Sequence, residues 1–208
     1  MDTKRIALVA IFAALTIVLS PTISRISIPS FFPLLKYNFF ELPIVIALLL
    51  LGLKPGVAVG LIASIALLPL QPTYIVIWGI AAWLSMLTGV YMGYKLVTRN
   101  SPEGKVPSAK KTALFCTAGG IVLRVLVMAI QNYTLLRYPI IGMNLPESVI
   151  IAIIPPIALF NATQPLFVVP LGYFLAKKIE LSLKVGNQTL NPPHQPSPST
   201  AESNSHKH

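Results

Sequence analysis

The sequence predicts an all-α integral membrane protein of six transmembrane helices, with the N- and C-termini both cytoplasmic. Three observations carry this. Hydrophobic residues make up 54% of the chain and charged residues 11%, with a mean hydropathy of +0.73. A soluble domain needs more charge to cover its surface, so lipid must solvate the apolar excess. Six apolar stretches fill residues 6–176, and Lys and Arg fall mainly on alternate connections between them.

Each stretch is bounded by residues that stop a helix or tolerate its end. The first span covers 6–23 and ends in the punctuated segment Pro21–Pro33. Residues 1–5 carry no cleavage pattern of a signal peptide, so this span is expected to be retained. The second, 39–53, is short and closes on Gly52-Leu53-Lys54-Pro55-Gly56, a tight turn. The third, 57–70, stops at Pro69-Leu70-Gln71-Pro72. Spans two and three are marginal against roughly 30 Å of hydrocarbon, so tilt or shielding by other helices is expected. The fourth covers 74–97 and the fifth 112–136. The sixth, 156–176, is expected to begin at Pro156, because proline suits the first helical turn.

Orientation follows from the cations. Lys4, Arg5, Lys54, Lys95, Arg99, Lys105, Lys110, Lys111, Lys177, Lys178, Lys184 and Lys207 fall on one side; Arg25, Lys36 and Arg137 fall on the other. The positive-inside rule places the richer side in the cytoplasm. The membrane domain is thus read as 1–185. Residues 186–208 are Asn, Gln, Pro, Ser, Thr and His with little apolar content, the composition of a disordered cytoplasmic tail.

Several function classes are excluded by what the chain lacks. There is no HExxH or Cys/His cluster for a metal, no GxSxG, and no P-loop. Cys116 stands alone and reads as a small apolar packer. Basic residues are not interleaved with stacking aromatics, so nucleic-acid binding is a poor reading. Of six acidic residues, only Glu41 lies beside a span where it could matter, too few for an ion or proton relay. A binding protein is favoured over an enzyme or an ion-coupled pump.

Polar residues gather where the outer helix ends should meet. The first outer loop offers Arg25, Lys36, Tyr37 and Asn38; Gln131, Asn132 and Tyr133 close the fifth span. Asn161 and Gln164 are three apart on the sixth, so they share a helix face. Amides both donate and accept, which suits a neutral heterocycle or polyol better than an ion. Phe31, Phe32, Tyr74 and Trp78 could supply flat walls. Arg124, near the middle of the fifth span, costs roughly 2.5–3.5 kcal/mol to insert and must find a partner. A structural role some turns below the amides is expected for it. Ala10 and Ala14 form a small-xxx-small pair, with Ala7 and Ala13 alongside, and Gly56, Gly60 and Ser64 form a second stripe. Either could admit a close helix neighbour.

Over roughly residues 3–180 the chain resembles the S-component, the substrate-binding subunit of energy-coupling factor (ECF) vitamin transporters. The segment Ala7-Leu8-Val9-Ala10-Ile11-Phe12-Ala13-Ala14-Leu15 is similar to that family's alanine motif, which implies that Ala10 and Ala14 dock on a transmembrane coupling subunit. Phe31-Phe32-Pro33, Lys36-Tyr37-Asn38-Phe39, Glu41-Leu42-Pro43, Asn132-Tyr133 and Phe160-Asn161-Ala162-Thr163-Gln164 resemble the riboflavin-specific branch. The resemblance implies a ligand site drawn from Lys36, Tyr37, Asn38, Asn132, Tyr133, Asn161 and Gln164. Gln164 departs from the lysine that many members of that branch carry.

The implied function is capture of riboflavin from outside a prokaryotic cell membrane for ATP-driven uptake. Two cytoplasmic ATPase subunits would energise it through the coupling subunit. Riboflavin enters as transported ligand; no cofactor, metal or catalytic residue is expected. The alternatives are an S-component for pantothenate, biotin or a modified base, or a stand-alone membrane carrier or enzyme.

Overall fold

The computed structural model describes residues 3–24, 27–31, 35–101, 107–138 and 144–183. The expected tail at 186–208 and Phe32 lie outside them. Seven α-helices carry the described chain: α1 (Thr3–Val18), α2 (Pro21–Ser24), α3 (Leu42–Leu51), α4 (Leu53–Leu67), α5 (Thr73–Arg99), α6 (Ala109–Arg137) and α7 (Glu147–Leu183). A single 3-10 turn, Leu68–Leu70, follows α4. With that turn, α4 joins α5, α6 and α7 as the four helices long and apolar enough to cross a membrane. α1 has 16 residues and α3 has 10.

α3 explains how so short a helix can be so apolar. All ten of its residues are buried, with Ile44, Val45 and Ala47 fully enclosed. A helix that is hydrophobic all round belongs in the interior of a bundle. Pro43 lies in its first turn, where a missing N–H leaves no bond unmade. Gly52 then reverses the chain into α4 with φ 98°, a conformation that a side chain strains against. α4 packs back on α3, while α1 packs on both and α7 also contacts α3.

The remaining layer is α5, α6 and α7. α5 and α6 cross on glycine: a Cβ on Gly89 would lie 2.1 Å from the Gly119 carbonyl oxygen, and one on Gly93 would lie 2.2 Å from that of Phe115. Only the absence of side chains lets the two backbones approach so closely. The Gly56–Gly60–Ser64 stripe also faces inward. Gly60 lies under the Trp83 ring, and the Trp83 indole donates to Ser64 Oγ at 3.2 Å. That stripe is internal packing.

Two expectations are corrected. The first helix stops at Val18 rather than reaching residue 23, because Pro21 lacks an N–H and disfavours helical geometry at Ser20 before it. The last helix begins at Glu147, nine residues before Pro156, and runs through Pro155, Pro156, Pro165 and Pro170. Ile150, fully buried, anchors the added turns, and Leu145 N–H donates to Leu136 O at 2.9 Å to tie them to α6. A two-stranded ribbon follows α2. β1 (Ile28–Pro29) pairs antiparallel with β2 (Lys36–Tyr37), with Ile28 opposite Tyr37.

Candidate functional site

A cavity of about 890 Å³ opens between α2, α4, α5, α6, α7 and the segment running from β2 into α3. That volume lies at the upper end of the range for sites that enclose a drug-sized ligand. Exposed Pro21, Thr22, Lys36 and Tyr74 form part of its lining, while buried Glu41, Ser64, Ala82, Arg124 and Asn161 form its deeper part. Phe40, Tyr74, Trp78 and Phe160 give it flat apolar walls.

The polar part is built from the segment ahead of α3, from α6 and from α7. Glu41, ahead of α3, is 5% exposed, and Arg124, midway along α6, is 4% exposed. Arg124 Nη1 donates to both Glu41 oxygens, at 2.6 and 2.7 Å, and Nε donates to Asn161 Oδ1 at 3.0 Å. Asn161 Nδ2 donates in turn to Ile157 O one turn back on α7. Gln164 Nε2 donates to Asn38 O at 2.9 Å and lies 3.4 Å from Glu41 Oε2. A paired, hydrogen-bonded charge is the form in which a buried guanidinium is tolerated. The pair is electrically neutral as a unit.

Further along the same face of α6, Asn132 aims Trp78. Its Oδ1 accepts from the Trp78 indole at 3.1 Å, while Nδ2 donates to Met128 O at 2.6 Å. The loop is held by Tyr37, whose ring stacks on Phe160 at 4.9 Å between centroids. Its hydroxyl lies 2.7 Å from Thr163 Oγ1.

A family model described as the ECF transporter substrate-specific component matches residues 4–176. The chain belongs to this family. A solved structure described as the S component of a bacterial ECF transporter shares its fold, with a TM-score of 0.68 at 21% identity. The match covers 88% of this chain and 99% of that one. No curated protein matches by sequence. This S component is therefore a membrane protein of a transport system rather than a member of an enzyme family. Membership implies association with the other subunits of an ECF module.

Of the expected site residues in the S component, Lys36, Asn38, Asn132 and Asn161 line the cavity together. Tyr37 and Gln164 stand behind its wall as supports, and Tyr133 is 38% exposed and away from the lining. Phe31 is exposed and does not line it. Arg124 was expected some turns below the amides; instead it bonds Asn161 and lines the cavity. An isolated arginine inside an apolar span, with an acidic residue at the mouth of another, was the signal available for that pairing. Ala10 and Ala14 lie far from this chemistry on the exposed side of α1, beside exposed Ile6, Ile11, Leu15 and Val18, while Ala13 points inward.

Proposed function

We propose that this S component captures riboflavin from outside the cell and delivers it to a coupling subunit driven by two cytoplasmic ATPases. One observation carries the choice of ligand: a large cavity with aromatic walls and a deep polar part whose charges cancel. A planar, uncharged tricycle with carbonyl and ring-nitrogen acceptors gains stacking on Trp78 and Phe160 and hydrogen bonds at Asn38, Asn132 and Asn161. Lys36 is exposed at the rim, where it could meet a polyol chain. A carboxylate vitamin such as pantothenate or biotin would meet Glu41 in the deep part of the cavity, where Arg124 is already paired, and like charges repel; Lys36 at the rim is the cation left for it.

All six helices from α1 and α3 to α7 are proposed to cross the bilayer with both termini cytoplasmic, the short α2 excepted. Lys4, Lys54, Lys95, Arg99, Lys110 and Lys111 cluster at one set of helix ends; Lys36 and Arg137 lie near the other. An even number of antiparallel crossings returns both termini to the same side. Residues 186–208 are proposed as a tail beyond the 1–185 membrane domain.

The test is an optical spectrum of protein purified in mild detergent and titrated with riboflavin. Flavin absorption bands that survive washing, with quenching of Trp78 emission, are expected. Asn161→Leu, which strips Arg124 Nε of its acceptor, should weaken binding by about 10-fold or more. No retained flavin and no quenching in the unaltered protein would remove riboflavin as the ligand.

Docking separates from binding. Ala10→Trp with Ala14→Trp places bulk on the exposed face of α1 without filling the cavity. Vitamin uptake in cells with the coupling subunits should fall by more than about 10-fold, while riboflavin affinity in detergent changes by less than about 2-fold. Parallel loss of both would mean that this face supports the fold instead.

A further inference from the structure

We infer that Arg124 and Glu41, beyond stabilising each other, form a donor–acceptor edge that reads a cyclic imide or lactam on the ligand. The inference rests on reading the cavity as the ligand site and names the chemical group that site recognises.

The argument begins with unused hydrogen-bonding capacity. Arg124 carries five N–H donors. Nε serves Asn161 and Nη1 serves Glu41, with Met86 Sδ 3.7 Å from Nη1. Nη2 has no hydrogen-bond partner among the described residues. The side-chain atoms there that are fully enclosed without a partner are Ser20 Oγ and Gln164 Oε1. Nη2 is not one of them, so it keeps open surface. Arg124 is 4% exposed and lines the cavity, and that surface faces the cavity.

Beside it, Glu41 lines the same cavity, and its Oε1 accepts one bond, leaving a lone pair on that oxygen. A cationic N–H donor and a carboxylate acceptor therefore stand next to each other on an interior wall. The complementary ligand edge places C=O beside N–H, as in a cyclic lactam or imide. The C=O accepts from Nη2, and the N–H donates to Glu41. Because the two charges cancel, a neutral edge fits and a carboxylate does not: at Nη2 it would lie against Glu41. Asn161 sets the roll of the guanidinium through Nε, and Gln164 braces Glu41. Gln164 is a positioning residue in this scheme, and Asn161 positions the guanidinium while itself lining the cavity.

The experiment compares riboflavin with 3-methylriboflavin, which keeps both carbonyls and the ring stack but replaces the imide N–H. The unaltered protein should bind the methylated compound about 10- to 100-fold more weakly, the range for a hydrogen bond to a charged group. Arg124→Lys keeps a cation opposite Glu41 but removes Nη2. It should weaken riboflavin itself by about 10-fold or more while the protein still elutes as a single species. Equal affinity for the two flavins overturns the inference and leaves riboflavin as ligand intact. If riboflavin does not bind at all, the reading of the ligand fails separately. The edge is then tested by thermal shift with lumazine, xanthine and uridine against their imide N-methyl derivatives. Binding by one of these with rejection of its methylated partner upholds the edge, and silence from all of them overturns it.

Discussion

Glu41→Leu is expected to destabilise the protein by about 3–5 kcal/mol, the penalty for leaving a buried charge without its partner. Arg124 would lose both oxygens that hold Nη1 at 2.6 and 2.7 Å, in a position only 4% exposed. Arg124→Leu should cost a similar amount, because Glu41 would then keep only the longer contact from Gln164 at 3.4 Å. The double variant is the informative one. With both charges gone, neither needs a partner, and two leucines fill part of the same space. Replacing a buried pair by apolar residues is often neutral or stabilising, so the double variant should recover most of the loss. Thermal inactivation in detergent, followed by recovery of monodisperse protein, measures all four members of the cycle. If the pair is there for the ligand, the recovered double variant should fold and yet bind poorly. Single variants as stable as the unaltered protein would mean that the pair is solvated.

This pair also marks where the sequence stops being legible. Helices occupy all six apolar stretches, because runs of apolar residues ended by Gly and Pro define helix and break locally. Arg124 and Glu41 are 83 residues apart, and although an arginine inside an apolar span calls for an acidic partner, its own neighbourhood does not place Glu41 beside it. The amide residues illustrate the same limit. Asn161 and Gln164 share a face by helical spacing, but only the packing of α6 and α3 against α7 decides what they serve. Asn161 turns to an arginine at the cavity, and Gln164 turns to a loop carbonyl behind it. The prolines misled about α7 for a related reason. Local preference argues for a helix start at Pro156, whereas burial of Ile150 carries the helix back to Glu147. The small-residue stripes looked alike in sequence and differ in the fold. Gly56, Gly60 and Ser64 close on Leu48 and Trp83, while Ala10 and Ala14 are left uncovered.

Gly89→Ala should be the other severe change, for a steric reason that local composition does not reveal. A methyl there would lie 2.1 Å from the Gly119 carbonyl oxygen and 2.6 Å from its carbon, so backbone, not a movable side chain, must yield. The opposing approach is just as close, with a Cβ on Gly119 falling 2.3 Å from the Gly89 oxygen. Separating α5 from α6 would unpack Met86, Val90 and Cys116, which are fully buried along the same seam. Overpacking in a core costs about 1–3 kcal/mol and sometimes more, and a clash with backbone belongs at the upper end. The effect should reach the cavity as well, since α5 carries Trp78 and α6 carries its acceptor Asn132 as well as Arg124. Gly79 on the same helix supplies the comparison. Nothing lies within 4 Å of its Cβ position, so Gly79→Ala should leave stability unchanged or raise it by up to about 1 kcal/mol through helix propensity. Melting temperatures of the two variants, measured side by side, decide the matter. A similar loss for both would mean that any glycine on α5 is needed for flexibility. Loss for Gly89→Ala alone would mean that α5 and α6 are held at glycine-to-glycine distance, and that this contact keeps Trp78 facing Asn132.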